Sequence, residues 1–254
     1  MRSYAPLLLA ITVIGCSNDK SAQARPDAKA PLEKITLTGV VAPYSPAGTA
    51  PGAVLEGVRV CKLDTQICTV TDTAGAYALD VEADPAGSLL LSKEGYVSLL
   101  WPGATGPEDT VGLSSTLPSE AIIQGFAALL STPYPVVNTG LISAQVFGSV
   151  ADPDSGILFN AGLAGVTARV VSGKAKGPAY FSEGGVPDPS LTSTTRGGAR
   201  VGFYEAEPGD LTLAFDGLGA ASCSVQFGFP GGAPGTLRVL VRAQTVTAVI
   251  MQCE

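Results

Sequence analysis

Thr71-Asp72-Thr73-Ala74-Gly75-Ala76-Tyr77-Ala78-Leu79 is the stretch that decides the fold. Thr and Asp side chains cap a tight turn, glycine supplies positive φ, and Tyr77 and Leu79 then enter a core two residues apart. A side-chain period of two belongs to a strand with one buried face. Ile35-Thr36-Leu37-Thr38-Gly39-Val40 alternates in the same way, as do Val58 with Val60, Leu79 with Val81, and Leu89 with Leu91. Further on, Val225, Phe227 and Phe229 alternate, and residues 237–241 and 245–251 are β-branched and apolar. Short strands separated by Gly, Pro, Asn and Asp indicate β-sandwiches.

Composition agrees. The 254 residues suffice for one large or two ordinary domains, taking about 100–150 residues for each. Hydrophobic residues make up 46% and supply a core, while 31 glycines and 19 prolines leave little room for long helices. The net charge of −7 argues against a nucleic-acid backbone as partner, because phosphates attract basic surfaces. Histidine is absent, which removes His-dependent triads, His-ligated metals and the commonest proton shuttle near neutral pH.

An internal repeat is visible. Turn glycines fall at Gly39, Gly57, Gly75 and Gly87, and again at Gly148, Gly165, Gly197 and Gly209. Gly57-Val58-Arg59-Val60 matches Gly165-Val166-Thr167-Ala168, Thr73-Ala74-Gly75 matches Thr195-Arg196-Gly197, and Pro85-Ala86-Gly87-Ser88-Leu89 matches Glu207-Pro208-Gly209-Asp210-Leu211. The second copy carries an insertion at residues 172–189.

Leu37-Thr38-Gly39-Val40-Val41, Leu55-Glu56-Gly57-Val58-Arg59-Val60, the turn at residues 71–79 and Lys93-Glu94-Gly95-Tyr96 together resemble the carboxypeptidase regulatory-like domain, over residues 35–104. The resemblance implies a transthyretin-like sandwich that serves as a non-catalytic accessory or display module. In the second copy Ala199 stands where the tyrosine belongs. The expected fold is therefore all-β, with two tandem transthyretin/Ig-like antiparallel β-sandwiches at residues 34–117 and 141–254. A linker at residues 118–140 holds one short helix, in which Ile122, Phe126 and Leu129 recur at helical spacing beside Ile123, Ala127 and Leu130. Ser119 is its expected N-cap, and Pro133 and Pro135 stop it. It either covers a sandwich end or interdomain seam, or binds a partner.

At the N-terminus, Met1-Arg2-Ser3 precedes an apolar run at residues 5–15 that ends in Val13-Ile14-Gly15-Cys16. The run is of signal-peptide length and too short to span a bilayer. Its end resembles the lipobox of a bacterial lipoprotein, which implies cleavage after Gly15 and acylation of Cys16, palmitate being one such acyl chain. Several acyl chains anchor stably, since each buried CH₂ contributes about 0.8 kcal/mol. The alternative is an ordinary secretory peptide with an incidental cysteine. Residues 17–33 are polar, of mixed charge and proline-bearing, as a disordered tether is. As a coil this stretch spans roughly 23 Å. Ser17 after the cysteine resembles outer-membrane sorting, with the protein facing the periplasm or the cell exterior.

Four further cysteines in an exported chain imply two disulfides. Cys61 and Cys68 fall opposite each other if Asp64-Thr65 turns a hairpin, and Cys223 and Cys253 staple the second copy. Loop closure gives the first bridge about 2.5 kcal/mol and the second about 3.5–4 kcal/mol. A cysteine metal site is the rival reading, without histidine or a paired CxxC to support it.

No catalytic residue is assigned, and neither a cofactor nor a metal is expected. Transthyretin-like hydrolases and dioxygenases need histidines that this chain lacks, and there is neither a G-x-S-x-G elbow nor a P-loop. Ser17-Asn18-Asp19-Lys20 fits S-x-x-K only formally. Glu205 and Glu207 are a carboxylate pair for a hydrolase or a solvated strand end. Asp152-Pro153-Asp154-Ser155-Gly156 is a calcium loop short of ligands or a plain turn. The candidate binding surface is Tyr180 and Phe181 among the glycines of the insertion, the alternative being that Phe181 simply covers the sheet, with Trp101 at a strand end as core or rim. Adjacent exposed aromatics stack on sugars or anchor a protein. The expected function is a membrane-anchored interaction, adhesive or display module for an unidentified protein or glycan, with carbohydrate binding as the alternative.

Overall fold

The computed structural model describes residues 33–46, 53–106, 109, 112–134, 136–151, 158–217 and 223–253. All belong to one compact unit, Leu32–Glu254. Cys16, residues 17–32 of the expected tether and the calcium-loop or turn candidate at residues 152–156 lie outside the described residues.

The regular structure of the described chain is strand apart from one short helix. In order come β1 (Lys34–Pro43), β2 (Arg59–Lys62), β3 (Cys68–Val70), β4 (Ala76–Glu82), β5 (Ser88–Ser92), β6 (Ser98–Pro102) and β7 (Ser115–Leu117). Helix α1 (Glu120–Leu129) follows. Then come β8 (Gly140–Ala151), β9 (Leu158–Gly162), β10 (Thr167–Ser172), β11 (Lys176–Tyr180), β12 (Arg200–Ala206), β13 (Gly209–Asp216), β14 (Cys223–Phe227), β15 (Phe229–Pro230), β16 (Thr236–Val241) and β17 (Thr245–Cys253).

Three sheets result: β4-β1-β7, β10-β13-β16-β15, and a ten-stranded sheet with the path β11-β12-β8-β17-β6-β5-β2-β3, to which β14 and β9 add. The large sheet joins the two halves of the chain, because β17 pairs in parallel with β6, Thr245 opposite Ser98. The pairings β1–β7 and β8–β17 are parallel as well. The halves are thus neither purely antiparallel nor separate in their sheets.

Side-chain alternation in β17 assigns the layers. Val246 packs in a core with Leu37, Leu79, Leu89, Leu99 and Trp101. Val249 and Met251 pack in a second core with Ile142, Val201, Phe203, Leu213 and Val239. Odd and even residues of one strand point to opposite faces. The three-stranded sheet therefore covers one face of the ten-stranded sheet at one end, and the four-stranded sheet covers the other face at the other end.

The halves share one wiring. Pairings β1–β4, β1–β7, β2–β5 and β5–β6 correspond to β8–β12, β8–β17, β10–β13 and β13–β16, each with the same direction. A threonine clip recurs too. Thr71 Oγ1 donates to Leu55 O at 2.6 Å and accepts from the Val58 N–H at 2.9 Å. Thr194 Oγ1 donates to Leu163 O at 2.6 Å and accepts from the Val166 N–H at 3.0 Å. Backbone bonds from Thr71 N–H to Val58 O and from Gly57 N–H to Thr71 O are matched by Thr194 N–H to Val166 O and Gly165 N–H to Thr194 O.

These bonds correct the glycine alignment. Val41 N–H donates to Gly75 O and Leu55 N–H to Val41 O, while Val146 N–H donates to Ala199 O and Leu163 N–H to Val146 O. Ala199, not Gly197, is the counterpart of Gly75, and both have positive φ, +39° and +70°. Val201 takes the place of Tyr77, as it faces Ala144 where Tyr77 faces Gly39. The last turn before the strands also slips. Leu213 faces Leu237 as Leu89 faces Trp101, so Leu89 matches Leu213 rather than Leu211.

Ser119 caps α1 as expected, its side chain accepting from the Ile122 N–H at 3.3 Å. The buried stripe is Ile123 and Ala127, flanked by Phe126 and Leu130, whereas Leu129 is exposed. The insertion is no free loop, because residues 176–180 form edge strand β11 against β12. Both disulfides form, Cys61–Cys68 and Cys223–Cys253, each between residues directly opposite on paired strands.

Thr71→Val and Thr194→Val each strand a buried N–H and a carbonyl, and each is expected to destabilise by about 1–3 kcal/mol in urea unfolding, with Thr→Ser restoring most of the loss. Burial pushes the Tyr77 phenol up to about 12 from 10.0. The folded chain holds that proton more tightly than the unfolded one, so the contribution is complete below pH 10 and is lost as pH climbs towards 12. Between pH 9 and pH 11, Tyr77→Phe is therefore expected to lose about 1 kcal/mol less stability than the wild type.

Candidate functional site

Beyond the edge of β4-β1-β7, the outward face of β12, β8 and β17 presents Gly202 and Tyr204, Leu141, Ser143 and Gln145, and Val246, Ala248 and Ile250. Helix α1 lies over this face and encloses with it a cavity of 620 Å³. That size suits a small organic ligand, since such sites run to about 300–1,000 Å³ and are mostly apolar with a few placed polar groups. Ile123, Phe126, Ala127 and Leu130 form the helical wall, and Ser115 and Thr116 of β7 form a second.

An aromatic cluster ties the walls together. The Phe126 ring meets Tyr44 edge-on at 6.2 Å and Phe181 edge-on at 5.7 Å between centroids. Tyr44 follows β1, Phe126 belongs to α1 and Phe181 follows β11, so three distant segments meet here. The Tyr44 hydroxyl donates to Gly185 O at 2.6 Å, gripping the loop after β11. Gly185 has φ +74°, and a Cβ there would press on the Tyr44 hydroxyl.

Arg200 begins β12 and stands over this cluster. Its guanidinium lies 4.9 Å from the Tyr44 ring centroid and 5.7 Å from that of Phe181. Among the described residues it forms no salt bridge. Burial pushes the Tyr44 phenol up, and the Arg200 charge pulls it part of the way back. Among the described residues, Arg200 Nε, Trp101 Nε1 and Ser115 Oγ are buried without a hydrogen-bond partner, and all three residues line the cavity.

Of the aromatics singled out in the sequence, Phe181 and Trp101 reach this cavity and Tyr180 does not. Trp101 packs on Phe227 at 4.8 Å, across the junction of the two halves. Tyr180 is in the second core, where its hydroxyl accepts from the Ala168 N–H at 3.0 Å. All three are buried, at 4–7% exposure, so Tyr180 and Phe181 form no open rim and Trp101 is core rather than rim. The reason is β11, whose pairing turns Tyr180 inward and seats Phe181 under α1.

The carboxylate pair does not converge on a reaction centre. Glu205 pairs with Lys176 at 2.7 Å and Glu207 with Lys174 at 3.1 Å, along the exposed β11 edge. Among the described residues no group of three or more His, Cys, Asp or Glu side chains could hold a metal. Tyr44, Phe126 and Arg200 were not singled out as site residues in the sequence. Only Phe126 stood in a recognisable pattern, and that was the helical stripe.

No family model matches this sequence, and no curated protein matches it. Solved structures align with it weakly. A cohesin–X-dockerin complex chain from Acetivibrio cellulolyticus is 16% identical, over 48% of this chain and 78% of its own, with a TM-score of 0.30. The minor pilin GBS52 from Streptococcus agalactiae is 14% identical over 87% and 96%, with a TM-score of 0.26. The shaft pilin SpaA from Lactobacillus rhamnosus GG is 10% identical over 88% and 98%, with a TM-score of 0.22.

Tyr44→Phe keeps the ring contacts and leaves Gly185 O without its donor. It is expected to cost about 0.5–1.5 kcal/mol in urea unfolding without altering the emission of Trp101.

Proposed function

We propose that this chain is a lipid-anchored, non-catalytic interaction module of the bacterial cell envelope, held by acylated Cys16 on the tether of residues 17–33. The observation that carries the proposal is the ten-stranded sheet common to both halves, cross-linked by one disulfide in each. A stiff, oxidised, charge-poor body fits display outside the cytoplasm. The equipment of its cavity is a cation, aromatic rings and hydroxyls, which make contacts rather than bonds.

The same reading takes residues 34–117 and 141–254 as duplicated carboxypeptidase regulatory-like sandwiches, with residues 118–140 as the linker. Matching strand connectivity and the paired threonine clips support duplication. Carbohydrate binding ranks second, because Tyr180, Phe181 and Trp101 offer no open ring face on which a sugar could stack.

Labelling of producing cells with radioactive palmitate, followed by fractionation, tests the anchor. The wild-type chain is expected to take up label and sediment with membranes, and Cys16→Ser to lose both. An unlabelled, freely soluble wild-type protein would overturn the proposal.

A further inference from the structure

The cavity under α1 contains an imbalance that packing does not explain. Arg200 places a positive charge at its wall, with two aromatic faces as neighbours and no carboxylate bridged to it among the described residues. The guanidinium is half-buried, with its Nε fully buried, and a partly desolvated cation favours an anion beside it. Two buried N–H donors, Arg200 Nε and Trp101 Nε1, and the Ser115 hydroxyl also lack hydrogen-bond partners among the described residues. Buried polar atoms are almost always paired, by protein, water or ligand. Apolar side chains such as Leu99, Phe126 and Ile250 make up much of the wall, interspersed with hydroxyls and the amides of Gln145 and Gln226.

We infer that this cavity is a binding site for an amphipathic organic anion, one carboxylate-like head against Arg200 and an apolar body lying between α1 and the sheet. The head supplies the missing negative charge, and its oxygens accept from a guanidinium that has no other ion partner among the described residues. The body replaces water along the apolar walls, where burial is favourable in proportion to area. At 620 Å³ the space admits a chain of about ten carbons with room to spare. The site does not depend on lipidation, so it stands or falls apart from the anchor.

Trp101 is the single tryptophan of the chain and lines the cavity, so its emission reports occupancy directly. The full-length protein, held in amphipol, is titrated with decanoate and with 1-decanol, which has the same body without the charge. Decanoate is expected to change Trp101 emission saturably and to bind about tenfold or more tightly than decanol. Arg200→Gln is expected to abolish that advantage while leaving decanol affinity unchanged, and Arg200→Lys to restore part of it. Circular dichroism and the Tm verify that each variant is folded. Equal affinity for acid and alcohol, an Arg200→Gln variant that binds decanoate as the wild type does, or Trp101 emission indifferent to both probes would each overturn the inference.

Discussion

The edge of β17 turned away from β8 is divided between two partners, and the architecture depends on that division. Its first residues pair in parallel with β6 of the first half, and its last pair antiparallel with β14 of the second. Where the two partners meet, Gly228 N–H donates to Pro102 O at 2.9 Å and Trp101 lies against Phe227. Backbone bonding therefore crosses from one half to the other within a single sheet. Because β17 shows alternate residues to opposite faces, the crossing also sets the two cores on opposite sides of the sheet.

That offset creates the site. A sheet face in water would leave Leu141, Ala248 and Ile250 bare, and the three-stranded sheet, whose core reaches Val246, does not cover them fully. The segment linking the halves forms a helix whose Ile123, Phe126 and Ala127 close over the gap. A ten-residue helix cannot fill the space that a sheet would fill, and the remainder is the cavity. Tyr44, Phe126 and Phe181 then hold helix, first half and second half to one another through ring edges.

Much of the local structure was legible because it follows from periods and caps. Ile35, Leu37, Tyr77 and Leu79 are inward as their alternation requires, Ser119 caps the helix, and Cys61 faces Cys68 in the register a short turn dictates. Pairing across the halves was not legible, since Ser98 and Thr245 carry no mark of each other and sheet partners far apart leave no periodic trace. Glycine spacing misled at Gly197, because a turn can lengthen by one residue and pass its positive φ to Ala199. Phe181 resembled a rim residue only because glycines surround it. The cavity was invisible for a similar reason, as residues from many separate elements line it and few belong to any one pattern.

The joint between the halves unites unlike edges. Strand β6 corresponds to β16 of the other half, and β17 corresponds to β7, so the free counterparts of the joined edges are β7 on one side and β16 on the other. A union of unlike edges is heterologous and, repeated between molecules, grows a ring or an open fibre. Here β15 occupies the outer edge of β16, and β7 is only three residues long. Short or occupied edges discourage templated pairing. The contact between unlike edges is thus made within one chain, and its two counterpart edges are a three-residue strand and a strand already paired.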